Sequence, residues 1–284
     1  MNQEQWDFEI TAEHRLFDLK LRDVWQYRDL LMLLVRRDFV SFYKQTILGP
    51  IWFFVQPIIT IIFYSAIFGS LAGIPTDGIP KPVFYLAGTI LWNYFADCLT
   101  KTSTVFRDNA ALLGKVYFPR LIMPLSIVAS NLIRFGVQLT LLIILLGYYC
   151  FHTHHPTLNW YALLFPFLVA LIAALGLGLG MIISAVTTKY RDIAFIVSFG
   201  VPLLMYATTV IYPLSVAETR FHQYSWIVKY NPITPVIETF RYGFLGRGDF
   251  SWLLLAYCLL VTVLLLMAGM VVFNKVEKTF VDTA

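Results

Sequence analysis

Apolar residues in this chain gather into runs long enough to cross a bilayer. A hydrocarbon core of about 30 Å needs about 20 mostly apolar residues per helix. Six stretches meet that need: Ile47–Leu71, Val83–Leu99, Leu121–Phe151, Trp160–Thr187, Ile193–Tyr212 and Trp252–Phe273. The second is short and polar at its end, so its boundary runs on through Lys101. The third is long enough to tilt or to project beyond the bilayer. The pattern predicts an all-α membrane protein, and an even number of spans places both termini on one side.

Two further segments have mixed patterns. Tyr27–Lys44 has apolar residues at 30, 31, 34, 35, 39 and 42, with Arg36, Arg37 and Lys44 interspersed. That spacing fits a helix lying in the headgroup plane with its cations toward anionic lipid. The alternative, a soluble amphipathic helix, is disfavoured by a span that begins three residues later. Leu214–Phe250 is too polar to cross a bilayer and too apolar for an ordinary loop. Its short apolar runs, Trp226–Val228 and Pro235–Leu245, carry Lys229, Glu238 and Arg241 on and between them. Thr234 can cap a helix with Pro235 preset at its first position, and Gly243 and Gly246 loosen its end. Broken backbone at membrane depth survives only when buried in protein or lining a water-filled path. The segment therefore predicts a re-entrant hairpin at the mouth of a pathway.

Lysine and arginine orient the chain. The segment before the first span holds seven, Lys101–Arg120 holds four, Lys189 and Arg191 separate spans four and five, and Lys275 and Lys278 follow span six. The other side has Lys81, nothing in His152–Asn159, and four in the long 214–250 segment. Both termini are thus expected in the cytoplasm, with the 214–250 hairpin facing outward. Residues 1–46 form a cytoplasmic amino terminus with the interfacial helix, 47–273 a six-span domain, and 274–284 a cytoplasmic tail.

Composition agrees. Of the 284 residues 58% are hydrophobic and 13% charged, against about 25% charged in soluble domains; mean hydropathy is +0.70. An aromatic share of 17% leaves rings for interfacial belts and for a sugar or lipid path. Cys98, Cys150 and Cys258 lie in or at the ends of apolar runs and read as small hydrophobes. The first 46 residues have no early apolar core of the signal-peptide kind.

Several chemistries are excluded. No GxxxxGK[ST] is present: Gly114-Lys115 is followed by Val116, and position 109 is Asn. In Gly176-Leu-Gly-Leu-Gly180, Met181 stands where a dinucleotide fingerprint needs its last glycine, so Gly176 and Gly180 read as a close helix-packing face. His152, His154 and His155 form a solvated turn with no nearby carboxylate or cysteine, and no metal site is expected. No catalytic constellation can be assembled from the loops.

Charges inside spans carry more weight, because a central one costs about 2.5–3.5 kcal/mol on insertion scales. Asn131, Arg134 and Gln138 share one face of span three, and Asn93, Asp97 and Lys101 form a stripe on span two. Asp97 can pair with Lys101 along its own helix or meet Arg134 across helices. One reading makes these groups mutually satisfied glue between helices. The other makes them a conduit's hydrophilic wall, with Arg134 meeting an anion such as phosphate and Trp52, Trp92 and Tyr94 offering flat faces to sugar rings. In the Val105–Arg120 loop, Asp108 or Asn109 can cap a short helix over Ala110–Leu113 ended by Gly114, suited to contact with a soluble partner.

Four segments, taken in order, resemble one family. They are Tyr43-Lys-Gln-Thr-Ile-Leu-Gly-Pro-Ile-Trp52, Lys115-Val-Tyr-Phe-Pro-Arg-Leu-Ile-Met-Pro124, Asn231-Pro-Ile-Thr-Pro-Val-Ile-Glu-Thr-Phe-Arg241 and Val276-Glu-Lys-Thr-Phe-Val-Asp282. They are similar to the permease subunit of type-2 ABC exporters, in the branch that exports lipid-linked O-antigen, capsule or teichoic acid. The resemblance implies a homodimer of permeases in the bacterial inner membrane, each docked on a separate cytoplasmic ATPase that binds the ATP and magnesium. It implies an undecaprenyl-type lipid-linked polysaccharide as cargo and no nucleic-acid partner. It further implies that Arg36 and Arg37, with Phe106, Arg107, Asp108 and Lys115, contact the ATPase, and that Met205, Tyr206, Glu238 and Arg241 belong to an outer gate. A type-2 exporter of a drug or simple lipid, a membrane-embedded sugar or lipid transferase, and an ion-coupled carrier using Asp97 are the alternatives.

Overall fold

Long apolar runs without internal turn signals become long helices. The computed structural model describes them over residues 21–44, 46–113, 115, 118–153, 158–220 and 222–283, and every element among these is helical. Helix α1 (Leu21–Gln26) leads into α2 (Arg28–Tyr43), the amphipathic segment expected before the first span. Leu34 and Val35 of α2 are buried, and the helix packs against the long helix Ile122–Thr153, while Arg36 and Arg37 stay exposed. A 3₁₀ turn at Gly49–Ile51 starts α3 (Trp52–Tyr64), which widens into a π-helix at Ser65–Leu71.

Next come α4 (Lys81–Ser103), α5 (Val105–Asp108) and α6 (Ala110–Leu113). The short helix expected at Ala110–Leu113 is present, with α5 as an additional turn before it. The Asn109 side chain does not cap α6; its Nδ2 donates to the Val105 carbonyl at 3.0 Å. Gly114, expected to end that helix, lies outside the described residues. Helix α7 (Ile122–Thr153) is followed by a 3₁₀ turn at Trp160–Leu164, α8 (Phe165–Lys189) and α9 (Ile193–Leu204). The 214–250 segment contains α10 (Leu214–Arg220), α11 (Ser225–Lys229) and α12 (Ile233–Leu245), and α13 (Trp252–Thr283) closes the chain.

Among the described residues four helical stretches are long and apolar enough to cross a membrane: Gly49–Leu71, Ile122–His152, Trp160–Lys189 and Trp252–Val276. The other two expected spans take different forms. Helix α4 is long but carries Asn93, Asp97 and Lys101, and its neighbours bury it along most of its length. Helix α9, with its 3₁₀ turn at Met205–Ala207, covers roughly 22 Å at 1.5 Å per residue. The run to Tyr212 expected from apolarity is therefore not all helix. Thr208–Ile211 leave the helix and are buried as irregular backbone.

Two further boundaries differ from the sequence pattern. Helix α12 starts before Thr234, because the Asn231 Oδ1 accepts from the Ile233 amide (3.1 Å) while Pro232 sets φ at −62°. Thr234 is buried within the first turn. Gly243 lies inside the helix, where a Cβ would stand 2.8 Å from the Ala162 nitrogen, and Gly246 forms the left-handed cap at φ 64°. At the other end α13 continues as helix through the stretch taken as a tail.

Helix α8 packs chiefly against α4 and α13, and the glycines let it do so. Cβ atoms at Gly176 and Gly180 would meet the Cys98 Cβ at 3.0 Å and the Thr102 Cβ at 2.6 Å on α4. On the opposite face Gly178 meets α13, where a Cβ on Gly269 would stand 2.6 Å from the Gly178 carbonyl oxygen. The glycine-rich run thus serves two interfaces. Between helices in lipid, close backbone approach of this kind replaces the hydrophobic drive that operates in water. Gly180→Leu is expected to destabilise the fold by about 1–3 kcal/mol through overpacking. Gly136→Ala on α7, where a Cβ meets nothing within 4 Å, is expected to be neutral or mildly stabilising. Thermal unfolding of the two variants in detergent checks this, and equal melting temperatures would refute the packing account.

Candidate functional site

Polar side chains gather at two ends of the bundle. At the end carrying α2, α5 and α6, a cavity of about 340 Å³ is lined by parts of α2, α3, α4, α7 and the loop between α4 and α7. Phe39, Phe53 and Ile127 give it apolar lining, and Arg37, Lys101, Ser130, Asn131 and Arg134 give it polar lining, together with Asp38 and Asp108. The two stripes read from the sequence meet here. Arg134 Nη1 donates to the Asp97 Oδ2 at 2.7 Å, and Lys101 Nζ donates to the Asn131 Oδ1 at 2.7 Å. The cross-helix pairing of Asp97 is therefore the one formed. Arg134 also lies over the Phe53 ring, its Cζ 5.6 Å from the centroid.

The remaining carboxylates of this cavity are also occupied. Arg37 donates to Asp38 through Nε and Nη2 at 2.9 and 2.8 Å. Asp108 accepts from Arg107 Nε at 3.0 Å and from the Thr104 hydroxyl at 2.6 Å. Arg37 Nη2 also reaches the Asn109 Oδ1 at 3.5 Å, tying α2 to the α5–α6 loop. Phe106 is buried and stacks on Phe273 of α13, with ring centroids 4.6 Å apart. The loop is thus anchored to the last helix, while Arg36, Arg107, Asp108 and Lys115 stay exposed.

Three aromatics expected along a pathway part company. Trp52 is exposed. Trp92 is buried against Phe95 (5.5 Å between centroids), and Tyr94 against Phe135 (5.2 Å).

At the opposite end, α10–α12 close over α4 and the irregular Thr208–Ile211 backbone. Arg241 is 1% exposed and Glu238 3%. Arg241 Nη1 donates to the Thr209 carbonyl (2.6 Å) and to the Glu238 Oε1 (3.2 Å). Its Nη2 donates to the carbonyls of Val210 (3.0 Å) and Phe84 (3.4 Å), and the guanidinium lies 3.7 Å from the Phe84 centroid. Gly88 makes room, since a Cβ there would stand 2.8 Å from Nη2. The second Glu238 oxygen accepts from the Asp249 amide at 3.2 Å. Met205 is buried and accepts a contact from the Tyr64 hydroxyl at 3.9 Å, whereas Tyr206 is exposed. Nearer the surface, Lys229 donates to Glu218 at 2.8 Å, a hydrogen bond that raises the lysine above its ordinary pKa.

No group of three metal-binding side chains occurs among the described residues. His152 Nδ1 lies 3.0 Å from the Tyr148 carbonyl; His154 and His155 are outside the described residues. Sequence reasoning missed Asp38, Asn109 and Ser130 in the cavity. Ser130 stands four residues before Arg134 on the same helical face, which was a usable signal.

Long apolar helices with charged side chains held between them define a multi-pass membrane protein. The chain belongs to the ABC-2 type transporter family, whose model matches residues 29–245. It is 29% identical over 264 residues to the O-antigen export system permease protein RfbA of Myxococcus xanthus, covering 93% of this chain and 98% of that protein. Two proteins of the same description from Klebsiella pneumoniae are each 27% identical over 256 residues, covering 89% of this chain and 94% of theirs.

The two ion pairs near the hairpin have very different environments. Arg241→Met leaves the Glu238 carboxylate buried and unpaired and is expected to cost about 3–5 kcal/mol. Lys229→Met breaks a half-exposed pair and should cost under about 1 kcal/mol. Yield of folded protein and its melting temperature read the difference, and a tolerated Arg241→Met would show that the brace is dispensable.

Proposed function

We propose that this chain is the permease of an ATP-driven exporter that carries an O-antigen-like polysaccharide, borne on an undecaprenyl-type lipid, out of the bacterial cytoplasm. The observation that carries this reading is the likeness to O-antigen export permeases along some nine-tenths of the chain. Two copies form the membrane unit, each docked on a separate cytoplasmic ATPase. Nothing in this chain matches a phosphate-binding loop, so hydrolysis belongs to that partner, and the chain itself is a transporter rather than an enzyme.

The chain crosses the inner membrane six times with both termini in the cytoplasm, the orientation favoured by its lysine and arginine distribution. In that orientation α2, α5 and α6 lie at the cytoplasmic face. Exposed Arg36, Arg107, Asp108 and Lys115 face the ATPase, and Phe106 transmits its movement to α13 through the Phe273 stack. Helices α10–α12 form the outer gate. The Asp97–Arg134 and Lys101–Asn131 contacts line the route that the phosphorylated carrier takes, with Trp52 available to sugar rings.

Coexpression with the ATPase of the same operon is expected to yield a stable complex whose ATP hydrolysis rises with lipid-linked polymer. A permease that recovers no ATPase would end this reading. The double variant Arg134→Ala with Asp97→Asn removes the pair without leaving a lone buried charge. It should impair export in cells while dimer assembly persists, and normal surface polymer in that strain would remove the pair from the route.

A further inference from the structure

The cavity between α2, α3, α4 and α7 is left with two unmet demands. The first is charge. Asp38, Asp97 and Asp108 are each in contact with an arginine: Arg37, Arg134 and Arg107. Lys101 is the surplus, because its hydrogen bond goes to the neutral amide oxygen of Asn131 and no carboxylate touches it among the described residues. The second is a hydrogen bond. The Ser130 hydroxyl, on a residue lining the same cavity, is buried without a partner. A buried polar group left unpaired costs about 1–3 kcal/mol, so the Ser130 hydroxyl is better satisfied with an acceptor bound in the cavity, and an anionic acceptor also answers the charge of Lys101.

We infer that this cavity receives the phosphate-bearing headgroup of a membrane lipid. An anionic oxygen can take a hydrogen bond from the Ser130 hydroxyl and charge-assisted ones from Lys101 and Arg37, the last of which sits at the exposed rim. The lining is also apolar in part: Phe39 and Phe53 stack with centroids 5.7 Å apart, and Ile127 lies with them. A ligand with a charged head and a hydrocarbon tail satisfies both the polar and the apolar lining, whereas a soluble anion satisfies only the polar part. The volume of about 340 Å³ suits a headgroup and falls within the usual range of ligand pockets, about 300–1,000 Å³. The cavity also includes Asn109, which Arg37 reaches across from α2, so an occupant joins the amphipathic helix to the α5–α6 loop.

The ligand chemistry has two sources: a phosphorylated isoprenoid carrier, or a bilayer phospholipid that steadies this face. The inference itself needs only a chain in a membrane, while its carrier arm rests on the export reading proposed above. The purified permease in detergent would be titrated separately with an isoprenyl diphosphate, with phosphatidylglycerol and with inorganic pyrophosphate. Lys101→Gln is expected to weaken binding of the preferred lipid about tenfold, the effect of losing one charge-assisted hydrogen bond. Ser130→Ala, which removes a single unpartnered hydroxyl and spares the fold, should weaken it several-fold. Lys189→Gln, a cation outside the cavity, should leave it unchanged. Preference for the isoprenyl diphosphate marks the site as one for cargo, and preference for phosphatidylglycerol as one for bilayer lipid; either supports it. Wild-type affinity for both lipids in the Lys101 and Ser130 variants would overturn the site. Inorganic pyrophosphate competing as strongly as either lipid would overturn the assignment to a lipid. Binding is read on the permease alone, so a permease that fails to recover an ATPase or to export polymer leaves this result standing.

Discussion

A backbone carbonyl that loses its helical donor inside an apolar bundle must find another, since no water is there to replace it. That constraint governs the end of the molecule where α9 stops short. The carbonyls of Thr209 and Val210 have left the helix, and the Arg241 guanidinium, brought in from α12, donates to both. One side chain thus does what several amides do in a continuous helix. It also bonds the Phe84 carbonyl of α4, so three separate parts of the chain are tied at one planar cation. The carboxylate that offsets its charge is Glu238, one turn earlier on the same helix. The aromatic rings of Phe165, Phe240 and Phe244, packed together around α12, exclude solvent from this side of the bundle.

Helix α4 is the second dependency. It touches α3, α7, α8, α9 and α12, and its Asp97 and Lys101 are spent on a neighbour rather than on lipid. Gly88 admits the guanidinium at one end, Asp97 and Lys101 engage α7 near the other, and beside them Cys98 and Thr102 receive the glycines of α8. A helix of this kind has no need of the unbroken apolarity that a lipid-facing span requires. Its burial therefore explains its composition. It also explains why α8 must be glycine-rich: the close approach to α4 on one face and to α13 on the other leaves no room for side chains.

Much of the fold was legible because the signals were local. The spacing of apolar residues in Tyr27–Lys44 marked α2, and four long apolar runs marked the four lipid-competent helices. Gly176 and Gly180 marked a packing face, though the use of Gly178 for a second face did not follow from spacing. What was not legible is non-local. Apolarity carried the fifth run to Tyr212, yet Thr208 and Thr209 leave the helix, and the Thr209 carbonyl accepts from Arg241, more than thirty residues away, in place of a helical amide. Thr234 had every local mark of a cap, but Asn231 and Pro232 begin the helix first. In the cavity, Arg134 and Lys101 were identified from their stripes. Asp38, Asn109 and Ser130 were missed because their relevance depends on α2 folding back against α7.

The two ends of the bundle therefore differ in how readily they rearrange. Around Arg241 the two terminal guanidinium nitrogens and the Glu238 carboxylate are paired and buried, although Nε has no partner, and baring a buried charge costs several kcal/mol. An opening that parted Arg241 from Thr209 and Val210 would leave two carbonyls and part of the guanidinium without partners in an apolar setting. The hairpin is consequently tied to α4, and movement at that end is more economical at exposed neighbours such as Tyr206 than within α12 itself. Around Lys101 the balance is reversed. The ion pairs there are partly exposed, and an ammonium is in excess. Exposed pairs are worth little and exchange readily for water or for a ligand, so this is the end where binding can alter the contacts between α2 and the α5–α6 loop without dismantling the core.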